Sequence, residues 1–561
     1  MTDSKKGQRG VARSEWQPSD HASAKGGLQR QVARGLTWTL VDTWGSQLVA
    51  LVIFVLLARL LTQVDFGLVA TAAIFVSFAG LLVDQGLGDA VIQRPTLTRR
   101  QLDTAFWASM ATGLIIAVAA LVLAIPIAGI LGQPLLQPII QVLSITFILS
   151  GLASIQTDLL RREMAFGSLA IRRVAAVTVG GIVGVGMAIA GYGAWSLVGQ
   201  QIASAIASVV MLWTVTPWRP SRAFSREDFG ELFGFGIRVV GGDILNWISR
   251  NIDNLLVVVF LGVVPVAFYT VAYRILDTSQ TLLVNAARKL VFPTFSRLQH
   301  DPDRIRRAYS RMNRASSALT LPGYIGLALV APEATVTLFG AKWAEAGPVA
   351  AVLFLIGPVL TVQAFSSALF NAVGRPDITL RYRLVTTVVN VVGFLLAVLI
   401  FRDILAVAAA YTIRGYLLLP LNLVWMRQYG HIRIRELLLE LRGVAVATVV
   451  MAGAVLLVKF ALVGHVHDAA LLGAEVLVGF IVFGLALLVA DRPLIADLIG
   501  VTAQAVPGGV RVARMLRLPM AAGDRKARAA LDTSREAEIE AGAVVDPTGL
   551  VNEDPERDPL P

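Results

Sequence analysis

The sequence predicts an all-α polytopic membrane protein: 14 transmembrane helices, as two pseudo-symmetric six-helix bundles plus two C-terminal helices, around a central cavity. Three observations predict it: composition, the length of the apolar runs, and the side on which basic residues fall. Of 561 residues, 56% are hydrophobic and only 16% are charged, and the mean hydropathy is +0.69. Soluble domains carry about 25% charged residues, so a soluble body of this composition lacks the polar groups to cover its surface. The apolar runs reach about 20 residues, the length of a helix across hydrocarbon. They are not the alternating ~10-residue strands of a membrane barrel.

The expected spans are 36–58, 66–88, 104–130, 136–158, 174–190, 194–214, 233–261, 266–287, 316–336, 346–370, 384–401, 404–425, 443–463 and 469–490. Residues 1–35 and the loops after even-numbered spans hold 32 Lys and Arg. The loops after odd-numbered spans hold 4, counting Lys459, which snorkels from the outer end of span 13. Lys and Arg collect on cytoplasmic loops. The split therefore predicts fourteen spans with both termini cytoplasmic; a thirteen-span alternative would place the termini on opposite sides. The net charge of +11 is mostly this sidedness signal, and no nucleic-acid partner is implied.

The domain reading follows. Residues 1–35 are a polar, basic cytoplasmic segment with no apolar core of a cleavable signal peptide. A first six-helix bundle covers 36–214, a cytoplasmic linker 215–232, a second bundle 233–425, and helices 13 and 14 cover 443–490. Within the tail at 491–561, residues 507–520 form a basic amphipathic stretch suited to the inner leaflet. From Gly523 onward the tail turns acidic and reads as disordered. The Arg-rich connection 288–315 is expected along the inner leaflet, drawn to membrane lipids with anionic headgroups.

The two bundles repeat at an offset of 202 residues. LLTQVDFGLVATA, with Phe66 at the helix start, matches LGVVPVAFYTVAYR, with Phe268 in the same place. Six helices per repeat give both bundles the same orientation, with a pseudo-two-fold axis along the membrane normal.

Ionisable groups within spans are costly and face protein or water. Span 7 carries Arg238, Asp243, Arg250 and Asp253, with Asn246, Asn251 and Asn254. At 100° per residue, Asp243, Asn246, Trp247, Arg250, Asp253 and Asn254 share one arc of roughly 120°. Span 8 continues the face with Tyr273, Asp277 and Gln280, and Arg274 beside it; span 1 adds Asp42 and Ser46. So many polar groups on one face predict a cavity lining. Interhelical ion pairs are the alternative for any single residue, and the isolated Arg414 and Glu475 are assigned to it. Asp84 and Asp89, with Gly86 and Gly88, suit a gate or a cap at the inner end of span 2.

Several functions are excluded. There is no cysteine, so no disulfide, thiolate metal site or Cys nucleophile. His465 and His467 read as a solvated loop. No metal, cofactor or catalytic residue is expected, no phosphate-binding P-loop is present, and no outer loop is long enough for an enzyme platform.

The stretch 57–107, LARLLTQVDFGLVATAAIFVSFAGLLVDQGLGDAVIQRPTLTRRQLDTAFW, resembles the Wzx-like polysaccharide exporters, the lipid-linked oligosaccharide flippases that include colanic acid and teichuronic acid exporters. RREMAF (161–166), GYGAWSLVGQ (191–200), RNIDNLLVVVFLG (250–262), FPTFSRLQHDP (292–302), LFGAKWAEAGP (338–348) and GRPDITLR (374–381) fit the same pattern. The resemblance spans about 30–430. It implies the multidrug/oligosaccharidyl-lipid/polysaccharide exporter fold and a bacterial inner-membrane location. It also implies transfer of undecaprenyl-diphosphate-linked oligosaccharide units to the outer leaflet, with polysaccharide polymerase machinery as a partner. Where that family typically has an Arg after RNIDN, this chain has Val258 or Val259. The alternative within the superfamily is an ion-coupled small-molecule or drug antiporter.

On that reading Arg250 and Arg274 hold the diphosphate, since a guanidinium makes bidentate contacts, and Arg238 lies nearer the cytoplasm. Asn246, Asn251, Asn254 and Gln280 bond sugar hydroxyls; Trp247 and Tyr273 stack on sugar faces. Asp42, Asp243, Asp253 and Asp277 are the ion-coupling candidates.

Overall fold

The computed structural model describes residues 44–84, 97–282, 295–296, 298 and 301–495, excepting the side chains of 84, 232–240 and 302. Asp42, Asp89, residues 1–35, 507–520 and the acidic tail lie outside the described residues. No strand occurs among those described. The helices are α1 (Ser46–Leu60), α2 (Gln63–Asp84), α3 (Arg99–Ile130), α4 (Leu136–Leu143), α5 (Ile145–Arg162), α6 (Phe166–Ile189), α7 (Trp195–Val215), α8 (Arg226–Leu261) and α9 (Val263–Gln280). They continue as α10 (Pro302–Phe339), α11 (Ala346–Phe354), α12 (Gly357–Val362), α13 (Ser366–Ala372), α14 (Pro376–Leu396), α15 (Ile404–Gly430), α16 (Ile434–Leu462) and α17 (Asp468–Ala490).

Twelve helical stretches among the described residues are long and apolar enough to cross a membrane. The sequence predicts fourteen. The two that fall short stand where spans 1 and 8 are expected. α1 has 15 described residues; α9 has 18 but carries Arg274, Asp277 and Gln280, whose polarity lowers its hydropathy.

Two expected spans are broken helices. Span 4 is α4 and α5, interrupted at Ser144, and span 10 is α11, α12 and α13. A break leaves carbonyls without helical donors, and hydrocarbon offers none. Neighbouring side chains supply them: Thr412 Oγ1 donates to the Val352 carbonyl at 2.7 Å, Tyr416 to Leu355 at 2.8 Å, and Tyr309 to Val362 at 3.1 Å. These bonds occupy three of the carbonyls at the bends of span 10.

The repeats meet at the end that carries the α1–α2 and α10–α11 turns. Trp343, fully buried, donates its ring N–H to the Ala58 carbonyl at 2.8 Å. The repeat-related Phe66 and Phe268 both pack edge-on against its indole, at 5.3 and 5.9 Å. Lys342 Nζ donates to the carbonyls of Arg59 and Leu61 at 2.9 and 2.6 Å. In return Arg59 donates to the Leu338 carbonyl at 2.7 Å and to that of Thr337, and Gln63 to that of Lys342 at 2.6 Å. Side chains from each repeat thus cap the helix ends of the other. Gly67 permits the close approach: a Cβ there would lie 2.0 Å from the Val263 carbonyl oxygen.

Candidate functional site

α8 carries most of the predicted residues, and its sequence explains both its ends. Ser225 is the N-cap, its hydroxyl accepting the Asp228 N–H at 3.2 Å, a contribution of about 1 kcal/mol. Glu227 and Asp228 complement the positive end of the helix dipole. Asp228 also accepts from Arg100 at 2.8 Å, and the Ser221 and Ser225 N–H groups donate to Asp103 and Thr104 at 3.1 Å each. The start of α8 is therefore fastened to α3. At the other end Gly262, with φ of 95°, breaks the chain into α9 at a backbone angle that a Cβ would strain. The resulting hairpin sets the α8 polar face beside α9.

Asp253 is 3% exposed. The Tyr269 hydroxyl of α9 donates to its Oδ2 at 2.8 Å, and the Asn254 N–H to its Oδ1 at 2.8 Å. Tyr273, one turn on, stacks on Tyr269 with centroids 5.9 Å apart and meets Tyr411 of α15 edge-on at 6.0 Å. The Arg414 guanidinium lies 4.6 Å from the Tyr411 ring, a cation–π contact. A carboxylate, three phenols and a guanidinium thus link α8, α9 and α15. Asn254 Oδ1 and Arg414 Nε are buried there with no hydrogen-bond partner among the described residues.

Other predicted residues face elsewhere. Trp247 donates to Ser77 Oγ of α2 at 2.9 Å and packs against Phe78 at 4.9 Å, so it bridges the repeats. Arg274 lies 5.9 Å from the Phe54 ring of α1. Arg250 and Asp243 are exposed; Asn246, Asn251, Asn254, Asp277 and Gln280 are half-buried. The Asn251 amide is tied to the Trp247 carbonyl at 3.0 Å. Arg238 lies within α8, its side chain outside the description. The polar face therefore divides, one side toward α15 and the other toward the first repeat.

Tyr269, Tyr411 and the Arg59–Lys342–Trp343 contacts escaped the sequence reading. Arg59 and Lys342 were visible there as two of the four outer basic residues, a rarity that marks them. Burial holds the Lys342 ammonium below the usual lysine range, against the pull of Asp65. Beside this contact lies a cavity of about 630 Å³ lined by Arg59, Lys342, His467 and Asp468.

The sequence pattern of the polysaccharide biosynthesis protein family matches residues 56–348. The chain belongs to that family. It is 27% identical over 482 residues to the succinoglycan biosynthesis transport protein ExoT of Rhizobium meliloti, covering 84% of this chain and 95% of that one. To the teichuronic acid biosynthesis protein TuaB of Bacillus subtilis it is 27% identical, covering 63% of this chain and 73% of the relative. Its fold is that of the lipid II flippase MurJ in an inward closed conformation, with a TM-score of 0.68 at 13% identity, covering 82% of this chain and 99% of that one. The all-α transporter fold and the family expected from the sequence both stand. As a member of the polysaccharide biosynthesis family with this fold, the chain is a multi-pass membrane protein.

Proposed function

We propose that the protein is a flippase that carries undecaprenyl-diphosphate-linked oligosaccharide units from the inner to the outer leaflet of the bacterial inner membrane. Both termini are cytoplasmic, and the units serve polymerase machinery for cell-surface polysaccharide. The observation that carries this reading is the α8–α9 polar face, with Arg250 exposed on it, in a chain whose relatives are named as polysaccharide transport and biosynthesis proteins. The lipid tails stay in the bilayer while the headgroup passes through a wet central cavity between the bundles 36–214 and 233–425. Arg250 and Arg274, with Arg238 toward the cytoplasm, bind the diphosphate. Asn246, Asn251, Asn254 and Gln280 bond sugar hydroxyls; Tyr273 and Trp247 offer ring faces, Trp247 once it leaves Phe78. Asp42, Asp243, Asp253 and Asp277 are the groups through which an ion gradient would act. The bundles rock about this site, and the Arg59–Lys342–Trp343 contacts close the outer side.

The test is Arg250→Glu in the native host. Export should fall by at least about tenfold, the loss expected from one charge-assisted contact, and lipid-linked units should accumulate at the inner leaflet while protein abundance holds. Normal export from the variant would refute the assignment of Arg250. A deletion strain sensitive to drugs but normal in polysaccharide would make the chain an antiporter instead.

A further inference from the structure

A second group of charges lies within the membrane, away from α8 and α9, where α10, α16 and α17 meet. Glu333 of α10 pairs with Lys459 of α16 at 2.8 Å, and Lys459 also donates to the Leu329 carbonyl at 3.0 Å. The third member is Glu475 of α17, which is 0% exposed. Both its carboxylate oxygens are buried without a hydrogen-bond partner among the described residues. Glu333 and Lys459 stand on the two helices against whose apolar cluster α17 packs.

The surroundings are apolar. Val330, Met451 and Val455 form a cluster covered by Leu472 and Phe483. Each charged residue extends that cluster: Glu333 lies one turn from Val330, Lys459 one turn from Val455, and Glu475 one turn from Leu472. Gly479, the next turn of α17, brings α17 close enough that a Cβ there would lie 3.2 Å from Val455 Cγ2.

Two carboxylates therefore share one ammonium, and the ammonium is committed to Glu333. A carboxylate buried in hydrocarbon with neither counter-ion nor donor is costlier than its neutral acid. We propose that Glu475 is a proton-binding site. It takes up the proton as a carboxylic acid and releases it as a carboxylate that competes with Glu333 for Lys459. Lys459 is three residues from the end of α16 and 25% exposed, against 11% for Glu333, so the proton reaches Glu475 from the end bearing the 463–467 turn. This site is distinct from the aspartates of the α8–α9 face and does not depend on the substrate assigned above.

Infrared difference spectra of the purified full chain in lipid nanodiscs test this. A protonated-carboxyl C=O band should be present near neutral pH, fade as the bath is made alkaline and return on acidification. Glu475→Gln, which copies the neutral acid, should abolish it while the protein stays folded. At fixed pH, Lys459→Met should strengthen the band by removing the competing cation, and Glu333→Gln should weaken it by freeing Lys459 for Glu475. A spectrum unchanged by Glu475→Gln, or a Glu475 band that never responds to the bath, would overturn the proposal and leave the three residues as a structural network.

Discussion

The hydrogen bond from Tyr269 to Asp253 shows how a polar residue is held within a membrane bundle. Asp253 was visible from helical periodicity, since it shares an arc with Arg250 and Trp247. Its partners were not, because Tyr269 and Tyr411 arrive from other helices and nothing in their local sequence marks them. The same holds for Trp247: periodicity puts it on the arc, but only the fold puts Ser77 and Phe78 beside it. Tyr269→Phe removes the donor and leaves a buried carboxylate oxygen without a partner, a cost of about 1–3 kcal/mol. Thermal unfolding of the detergent-solubilised protein should show that loss. A variant as stable as the parent would mean that Asp253 finds another donor.

Helices were legible as apolar runs, but their interruptions were not. Residues 346–370 read as one span because a hydropathy run records burial and not backbone continuity. The breaks among α11, α12 and α13 depend on Thr412, Tyr416 and Tyr309 reaching freed carbonyls. α9 stands in the place expected for span 8, and Arg274, Asp277 and Gln280 lower the hydropathy of its described residues. The contact between repeats belongs to this scale too. Phe66 and Phe268 were matched by sequence offset, and both rest on Trp343. If the contact opens during each cycle, holding it shut must stop transport. The chain has no cysteine, so Arg59→Cys with Lys342→Cys can be joined by a reducible bifunctional thiol reagent without background. Export should stop on cross-linking and resume on reduction. Undiminished export from fully cross-linked protein would show that the outer side need not open there.

Across the whole molecule, the 32-to-4 division of basic residues is a statement about sidedness that helix geometry alone does not make. It predicts that His465→Cys is labelled by an impermeant maleimide in intact spheroplasts, whereas Arg427→Cys is labelled only after permeabilisation. Labelling of both from the same side would overturn the assigned topology. That orientation would put the basic loops on the cytoplasmic face and Lys459 at the outer end of α16, paired with Glu333 of α10. The proposed transport step moves a lipid-linked oligosaccharide between leaflets. The purified protein in liposomes, given a fluorescent undecaprenyl-diphosphate oligosaccharide, tests it most directly. Headgroups should become accessible to a membrane-impermeant quencher on the opposite leaflet far faster than in empty liposomes, and Arg250→Glu should remove the acceleration. Equal rates with and without the native protein, under an imposed ion gradient in either direction, would refute flipping by this protein.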